Sequence, residues 1–591
     1  MATDKNKVSD VLDQTARAHG DQPAMKVKQG GLWQTTTWKE YRDQARLVAR
    51  GFLKLGLEPK QGVAIIGYNC PQWFLADVGA ILAGGFPAGI YTTNSGEQCA
   101  YIADHSDAVL AVVEDATQLQ KFKQVWGELP KLKAIVMMNG QDADPRVHTW
   151  EQLLQLGAQV PETELDARIA AQLSDDVCTL IYTSGTTGNP KAVMISHDNI
   201  TWTSRQALQA MDLRTGDHAI SYLPLSHIAE QIVSLHGPML IGGCVSFAES
   251  IDKLGDNLRE VRPHYFLGVP RVWEKIQAKM QAAGAQNPPL RKKIAAWARV
   301  QGLAGGNAEQ KGGQKPLLYG VANKLVFSKV REKLGLDRCR IQITSAAPIA
   351  RDTLEFFLSL GLPIYEVFGM SESTGPATIS TPDRYETGKA GFCLPGAEIK
   401  IAADGEICMR GRHICKGYYK NPDATAEAID GEGWLHSGDI GTIDGRGLLQ
   451  ITDRKKDLLI TAGGENVAPQ VLEGELKGIP VVSQAVVVGD RMKYLGALLT
   501  LDAEKVAQVA GEFGSPARDV ASAATCEVFK GALQRQIDDV NKKLAQVQTI
   551  KKWTIIPAEF SIEGGELTPT MKIKRKVIRE KYAKEIDGLY A

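Results

Sequence analysis

The sequence predicts an α/β protein made of a large N-terminal domain and a smaller C-terminal one. Three observations predict this. Short apolar segments alternate with segments of helical period through the first third and again through the middle, the pattern of parallel sheets covered by helices. From Gly391 the texture turns β-rich, with Asp-Gly turns at Asp404-Gly405, Asp430-Gly431 and Asp444-Gly445. A charged pentapeptide, Asp453 to Asp457, then separates apolar strands and is followed by a second, shorter α/β pattern. At 591 residues the chain is also too long for a single core.

Each element has its own signal. Thr37-Trp-Lys-Glu40 fits a capping box, and Trp38, Tyr41, Ala45, Val48 and Phe52 then fall at helical spacing. Val63 to Gly67 reads as a buried strand, and Pro71 suits the first turn of the next helix. Ala108 to Val113, Ala134 to Met138, His218 to Leu223, Tyr265 to Val269 and Arg340 to Ile343 are further strands. Residues 288 to 340 are rich in Lys and Arg and predict two helices separated by a Gly-rich break from Gly302 to Gly313. Lys292, Lys293, Arg299, Lys324, Lys329, Arg331 and Lys333 on those helices form either a solvated face or a surface for acidic lipid head groups or an anionic cofactor. Beyond the pentapeptide come a strand at Leu458 to Thr461, a helix at Pro469 to Lys477, strands near Ala485 to Val488 and Ala497 to Leu501, and long polar helices.

Composition excludes several classes. Apolar residues make up 44% and charged residues 23%, the balance of a water-soluble globular chain. The 68 basic residues match the 68 acidic ones, which argues against a general nucleic-acid binder. The nine cysteines are scattered without a C-x-x-C pair, so neither a disulfide framework nor a zinc site is expected, and a reducing cytoplasm fits. The first residues carry no apolar signal core. Runs such as Val78 to Tyr91 are interrupted by Gly and Pro and are too short to span a bilayer. A peripheral membrane contact stays open, as does the choice between monomer and homodimer.

Tyr182-Thr-Ser-Gly-Thr-Thr-Gly-Asn-Pro-Lys191 is the most informative stretch. Thr183, Ser184, Thr186 and Thr187 set four hydroxyls beside Gly185 and Gly188, and Lys191 closes the loop. Backbone N–H groups, hydroxyls and one cation suit phosphate oxygens. The flanks, Cys178 to Tyr182 and Ala192 to Ser196, both read as strands, so this is not the phosphate loop that opens a helix. Seven further segments carry candidate chemistry. Thr344-Ser-Ala-Ala-Pro348 offers small residues against which a flat ring can lie. Tyr365-Glu-Val-Phe-Gly-Met-Ser-Glu372 offers the ring of Phe368 for stacking and Glu372 as an oxygen ligand for Mg2+. Gly433-Trp-Leu-His-Ser-Gly-Asp439 places a carboxylate at an expected loop apex, suited to ribose hydroxyls. Arg454 is a fork donor for ribose or phosphate. Gly463-Gly-Glu-Asn466 is a turn just past the boundary. Leu567-Thr-Pro-Thr-Met-Lys572-Ile-Lys-Arg575 and Pro224-Leu-Ser-His227 complete the set. Each has a plainer alternative: a surface carboxylate for Glu372, a turn-holding Asp439, a solvated Lys572, a core histidine at 227. Ser226 and His227 are adjacent and form no dyad, and no G-x-S-x-G elbow supports a hydrolase.

In order and wording, these segments resemble the adenylate-forming superfamily of AMP-producing acid ligases, over roughly residues 35 to 585. Within it the chain is similar to long-chain acyl-CoA synthetases of the bubblegum-type branch, on the segments Ser221 to Ile228, Ile460 to Asn466 and Leu567 to Arg575. The resemblance implies a large N-terminal domain, 1–455, of stacked mixed and parallel sheets with flanking helices, and a small mobile C-terminal α/β domain, 456–591. It implies a two-step reaction. A fatty acid carboxylate displaces pyrophosphate from ATP to give an acyl-adenylate, and the thiol of coenzyme A then displaces AMP. By the same resemblance Thr183, Ser184, Gly185, Thr186, Thr187, Gly188 and Lys191 hold the β- and γ-phosphates, and Thr183 and Glu372 place Mg2+. Ala346, Ala347, Phe368, Gly369 and Ser371 surround adenine and AMP, while Asp439 and Arg454 fix the ribose. Lys572, Glu372 and His227 are the catalytic candidates. Lys456 matches a hinge, and Gly463, Gly464, Glu465 and Asn466 a loop on the coenzyme A side. Three positions depart from the pattern: Ser345 for a common Gly, Phe368 for a common Tyr, and Met571 for a common Gly before the lysine. Alternatives at this stage are a ligase that loads a carrier protein, a synthetase for medium-chain or aromatic acids, a non-catalytic nucleotide-binding module, and a phosphotransferase releasing ADP.

Overall fold

Thr37 opens the helix Trp38–Lys54 through a complete capping box, its hydroxyl accepting the Glu40 N–H while the Glu40 carboxylate accepts the Thr37 N–H at 2.7 Å. Trp38, Tyr41, Ala45, Val48 and Phe52 are all buried against the core, as their spacing requires. The helix packs on Pro71–Leu82 so closely that a Cβ on Gly79 would stand 2.7 Å from Val48 Cγ1. The structure, a computed structural model, describes residues 6–183, 189–462, 465–568 and 572–591, without the side chain of Asn466.

The first two thirds of the chain build stacked sheets with helices between them. A seven-stranded sheet runs in the order Val147–Thr149, Ala134–Met137, Ala108–Val113, Gly62–Ile66, Phe86–Ile90, Val177–Thr183, Lys191–Ser196, and only the last strand is antiparallel to its neighbour. A five-stranded sheet joins the parallel strands Tyr265–Leu267, Ile341–Thr344 and Ile364–Met370 to the antiparallel Gly375–Ile379 and Phe392–Cys393. A four-stranded mixed sheet pairs His218–Ser221 and Cys244–Phe247 with the N-terminal hairpin Pro23–Gln29 and Leu32–Thr37. The β-rich stretch is an antiparallel meander, Glu398–Ile401, Glu406–Arg410, Leu435–Ile443 and Leu449–Arg454. Past it, Val482–Val488, Leu495–Leu501 and Ile550–Ile556 form a separate three-stranded sheet covered by Pro469–Lys477 and Glu527–Asn541. Among the described residues, each buried apolar cluster is made either of residues up to 451 or of residues from 459 onward.

Three expectations are corrected. The Gly-rich break does not begin at Gly302, because one helix, Pro289–Glu309, runs through Gly302, Gly305 and Gly306. A Cβ at these positions would lie 2.0 Å from the Ser359 carbonyl, 2.4 Å from the Tyr319 ring and 2.3 Å from Leu358. These glycines permit close packing and do not end the helix. Ile550–Ile556 is a strand inside a stretch read as polar helix; its Lys551 and Lys552 point outward while Ile550, Ile555 and Ile556 are buried. Of the Asp-Gly turns, only Gly405 has positive φ at its own position. In the other two the left-handed residues are Gly433 and Gly447, two places later.

A buried carboxyl sits within this core. Glu230 is 1% exposed, and one of its oxygens accepts the hydroxyls of Ser221 at 2.6 Å and Ser234 at 2.7 Å. Burial pushes its pKa up to about 7, against the pull of those donors. A folded-state pKa above the unfolded one gives stability that is complete below the unfolded value and is lost as pH rises through about 7. Thermal unfolding should therefore show a fall in Tm between about pH 5 and pH 7.5 that is smaller in Glu230→Gln. An identical fall in the variant would remove Glu230 as the cause.

Candidate functional site

A cavity of about 1240 Å3 opens where the two parallel sheets, the meander and the C-terminal segment meet. Thr183 ends one strand and Lys191 begins the next, and the two are register partners with the Thr183 hydroxyl 3.3 Å from the Lys191 carbonyl. Both line the cavity. Ser184, Gly185, Thr186, Thr187 and Gly188 lie outside the described residues. The Lys191 ammonium stands 4.8 Å from the centre of the Tyr418 ring, a cation–π contact that aims it across the cavity mouth. Tyr418 also donates its hydroxyl to Glu372 Oε1 at 2.7 Å. Glu372 lies in the short turn Ser371–Ser373 after the strand Ile364–Met370 and is 7% exposed, with its backbone carbonyl fixed by the Cys415 N–H. Tyr418 thus orients both a cation and a carboxylate, and no spacing in the sequence marks it out.

The wall opposite is made of small residues. Ala346 lines it with φ +74°, a left-handed conformation that costs an alanine about 1 kcal/mol. Gly369 and Ser371 line it too, and Gly369 is required because a Cβ there would lie 1.9 Å from the Gly375 carbonyl. Ser345 lines the wall and donates its hydroxyl to the Val367 carbonyl at 2.9 Å. Two candidates are placed differently from expectation. Phe368 does not present its ring to the cavity; it is buried among Ala377, Ala390, Ile407, Met409, Leu435 and Leu449, because strand alternation turns Val367 to the cavity and Phe368 to the core behind it. Ala347 is likewise off the wall.

Asp439 is not at a loop apex. It lies within the strand Leu435–Ile443, directly opposite Arg454 in the register, with Arg454 Nε 3.2 Å from Asp439 Oδ1. Burial raises the Asp439 pKa, and the charges of Arg454 and Lys572 oppose that rise. Lys572 reaches the same place from the C-terminal segment. Its N–H donates to the Thr568 hydroxyl at 2.9 Å and its carbonyl accepts the Thr568 N–H at 2.8 Å, which ties Lys572 to Thr568. Burial, and then the Arg454 charge, bring its pKa down to about 8, while Asp439 and Glu372 hold it up. Burial and the nearby Lys572 charge bring His227 down to about 3, so the imidazole is neutral. Its Nδ1 accepts the Ala229 N–H at 3.2 Å, which leaves the proton on Nε2 as a donor, and His227 lines the cavity. Next to it the wall becomes apolar, with Ile228, Ile232, Val233, Leu267 and Ile343.

Lys456 is exposed at the cavity rim between two anchors. Lys455 before it pairs with Asp404 at 2.6 Å and Glu406 at 3.0 Å in the meander. Asp457 after it meets Arg575 at 3.4 Å, and Arg575 grips Glu473 through two bonds of 2.7 and 2.6 Å. Arg575 and Glu473 stand far apart in the chain, which kept this pair out of the sequence reading. Gly463 and Gly464 lie outside the described residues. Glu465 is exposed in the hairpin of Leu459–Ile460 and Asn466–Val467, away from the cavity wall.

Known proteins resemble this chain in sequence and in fold. The family described as AMP-binding enzyme matches residues 12–419, and the one described as AMP-binding enzyme C-terminal domain matches residues 456–591. The long-chain-fatty-acid–CoA ligase ACSBG2 of Xenopus laevis is 45% identical, over 99% of this chain and 83% of its own. The long-chain-fatty-acid–CoA ligase ACSBG1 of Rattus norvegicus is 43% identical, over 97% and 84%. Among solved structures, the adenylation domain of a carboxylic acid reductase from Segniliparus rugosus, in complex with AMP and a co-purified carboxylic acid, superposes with a TM-score of 0.77 at 19% identity, over 100% of this chain and 95% of that one. The anthranilate CoA ligase AuaEII in complex with anthranoyl-AMP gives 0.73 at 18%, over 97% of both chains. The last two likenesses carry the fold, and the family matches and close relatives carry the lineage: the chain belongs to the AMP-binding enzyme family.

Proposed function

We propose that this protein is an ATP-dependent, AMP-forming ligase that activates a long-chain fatty acid as acyl-adenylate and transfers it to coenzyme A. The observation that carries this reading is the convergence of Lys572 with Glu372, Arg454 and neutral His227 on a cavity whose other end is apolar, with Asp439 off the cavity wall and paired to Arg454. Relatives at 43–45% identity are named for the same substrate class.

In the first half-reaction a carboxylate oxygen bonds to the α-phosphorus and the bond to the β-phosphate oxygen breaks, releasing pyrophosphate. The two reactants are both anions. A cation placed between them lowers their repulsion most in the transition state, where they are nearest. Lys572 is that cation. The main-chain bonds at Thr568 fix its base, and its position between Asp439 and Glu372 favours the charged form against burial. Lys191 and the Thr183 hydroxyl are set to receive the outer phosphates, Ala346 and Gly369 to lie against the adenine, and the paired Asp439 and Arg454 to hold the ribose. Phe368 supports that wall from behind. The His227 Nε2–H is a neutral donor for the carboxylate or acyl-phosphate oxygen and adds no charge. Glu372, with one oxygen engaged by Tyr418, and Thr183 supply hard oxygen donors of the kind Mg2+ takes, and that ion when bound offsets charge on the polyphosphate. In the second half-reaction sulfur bonds to the acyl carbon and AMP leaves.

The thiol needs access that Lys572 obstructs, and we take residues 456–591 as a unit that turns about Lys456. The ion pairs at Lys455 and at Asp457 each hold one side of that residue, so a change in its φ/ψ moves one anchored body against another. Rotation would withdraw Lys572 and bring residues 463–466 toward the cavity. Residues on both sides of the cleft hold the present pose. Lys477 pairs with Glu274 at 2.7 Å, and Arg271 meets Glu559 at 2.9 Å and Ser483 at 3.1 Å.

Lys572→Ala should slow acyl-adenylate formation on the order of 100-fold or more while sparing thioester formation from supplied acyl-adenylate. Equal loss in both half-reactions, assayed separately, would contradict the role. Lys456→Pro, by restricting φ, should slow one half-reaction far more than the other, and equal slowing of the two would count against a hinge there. Pyrophosphate release across acids from acetate through aromatic acids to palmitate should be fastest with the long chains; a maximum at an aromatic or short acid would overturn the substrate class.

A further inference from the structure

We propose that the surface formed by residues 288–334 docks this protein on an acidic lipid bilayer. Apolar exposure in the molecule is concentrated there. Of the large hydrophobic side chains that are exposed among the described residues, half lie between Leu290 and Leu325. Leu317 is 100% exposed and Leu290 70%. The helix Pro289–Glu309 buries Ala298, Gly302, Gly305 and Gly306 on one side and leaves Leu290, Ile294 and Val300 to solvent. Leu318, Val321 and Leu325, spaced three and four apart, form a second exposed apolar row, while Ala322 and Phe327 of the same segment are buried. Ala298, Ala322 and Phe327 pack together, so both rows ride on one small substructure.

Charge is concentrated in the same place. The chain as a whole is neutral, yet residues 288–334 hold ten Lys and Arg against two Glu. Three of the ten are engaged within the fold: Arg299 with Ser359, Arg331 with the Gly361 carbonyl, and Lys315 with Glu309. Among the described residues no ion pair engages Lys292, Lys293, Lys324, Lys329 or Lys333, and all five are exposed. Exposed leucines, Leu317 fully so, among lysines engaged in no ion pair fit an anionic bilayer, where apolar tips enter the acyl boundary and ammonium groups stay at the phosphates. A folded acidic partner would need a shaped apolar recess, and here the leucines project outward. No helix among the described residues is long and apolar enough to cross a membrane, so the contact is peripheral. The use of such a contact, collecting an acid that dissolves in membranes rather than in water, rests on the ligase reading. The binding itself does not.

Co-sedimentation of the full chain with phosphatidylcholine vesicles, with and without phosphatidylglycerol, tests this. The wild type should bind the anionic vesicles, bind the neutral ones weakly, and lose binding as salt rises. The triple variant Lys292→Glu, Lys293→Glu, Lys324→Glu should reduce the partition coefficient by about 100-fold or more. Leu317→Ser, Val321→Ser, Leu325→Ser should reduce it by about tenfold or more. Both variants should keep wild-type pyrophosphate release on a detergent-dispersed acid, which separates loss of docking from loss of catalysis. Absence of wild-type binding to anionic vesicles, or binding unchanged in both variants, overturns the proposal. So does light scattering that shows a dimer dissolved by these substitutions while vesicle binding persists, since the face would then join two copies of the chain.

Discussion

In the proposed reaction two negatively charged reactants must meet at bonding distance inside one cavity, and the site is arranged around that repulsion. The cation proposed to relieve it, Lys572, is itself costly to bury, and its pKa of about 8 reflects that cost. Asp439 and Glu372 offset part of it, Arg454 adds to it, and the balance leaves the amine charged near neutral pH. Burial first, and the Lys572 charge second, keep His227 neutral. The ammonium group therefore adds to the electrostatics of its neighbours as well as playing its own role. Removing it alters the whole cluster and not a single contact.

The proposal places that group on a body that turns away. Apolar clusters up to residue 451 and from 459 onward are separate, so relative movement exposes no continuous core. Among the described residues, ion pairs join the two sides. Arg271, Glu274, Lys477 and Glu559 meet across the cleft at or near the surface, where ion pairs are each worth at most about 1 kcal/mol and are screened by salt. Such contacts select a pose without trapping it. By contrast, the Arg575–Glu473 pair inside the C-terminal unit is largely buried and doubly bonded, which holds the segment bearing Lys572 to the helix of Glu473. Weak polar contacts between bodies and strong ones within each body are the physical requirement for a part that turns as a unit.

Much of this was legible in the sequence, for local reasons. The capping box at Thr37, the helix from Pro71 and the strand from Ala108 to Val113 depend on neighbours in the chain, and their signals are local. The cavity residues Thr183, Lys191, Glu372, Arg454 and Lys572 were reached through motif resemblance, since nothing in spacing alone brings position 183 to position 572. The misplacements share a cause. Phe368 and Asp439 carry the right chemistry, but their direction is fixed by strand alternation and by cross-strand register with Thr378 and Arg454, which a linear reading does not contain. The glycines at 302, 305 and 306 were read as breakers because the Ser359 carbonyl, Tyr319 and Leu358 against them come from elsewhere in the chain. Tyr418 and the Arg575–Glu473 pair were missed for the same reason.

The central claim is that Lys572 enters for one half-reaction and must leave for the other, and it is tested by holding the two bodies in the present pose. Cysteines in place of Arg271 and Glu559, joined by a short bifunctional thiol reagent, should give an enzyme that releases one equivalent of pyrophosphate and retains acyl-adenylate without forming thioester. Cleavage of the link should restore turnover. A linked enzyme that makes thioester through many cycles at the unlinked rate would contradict the account.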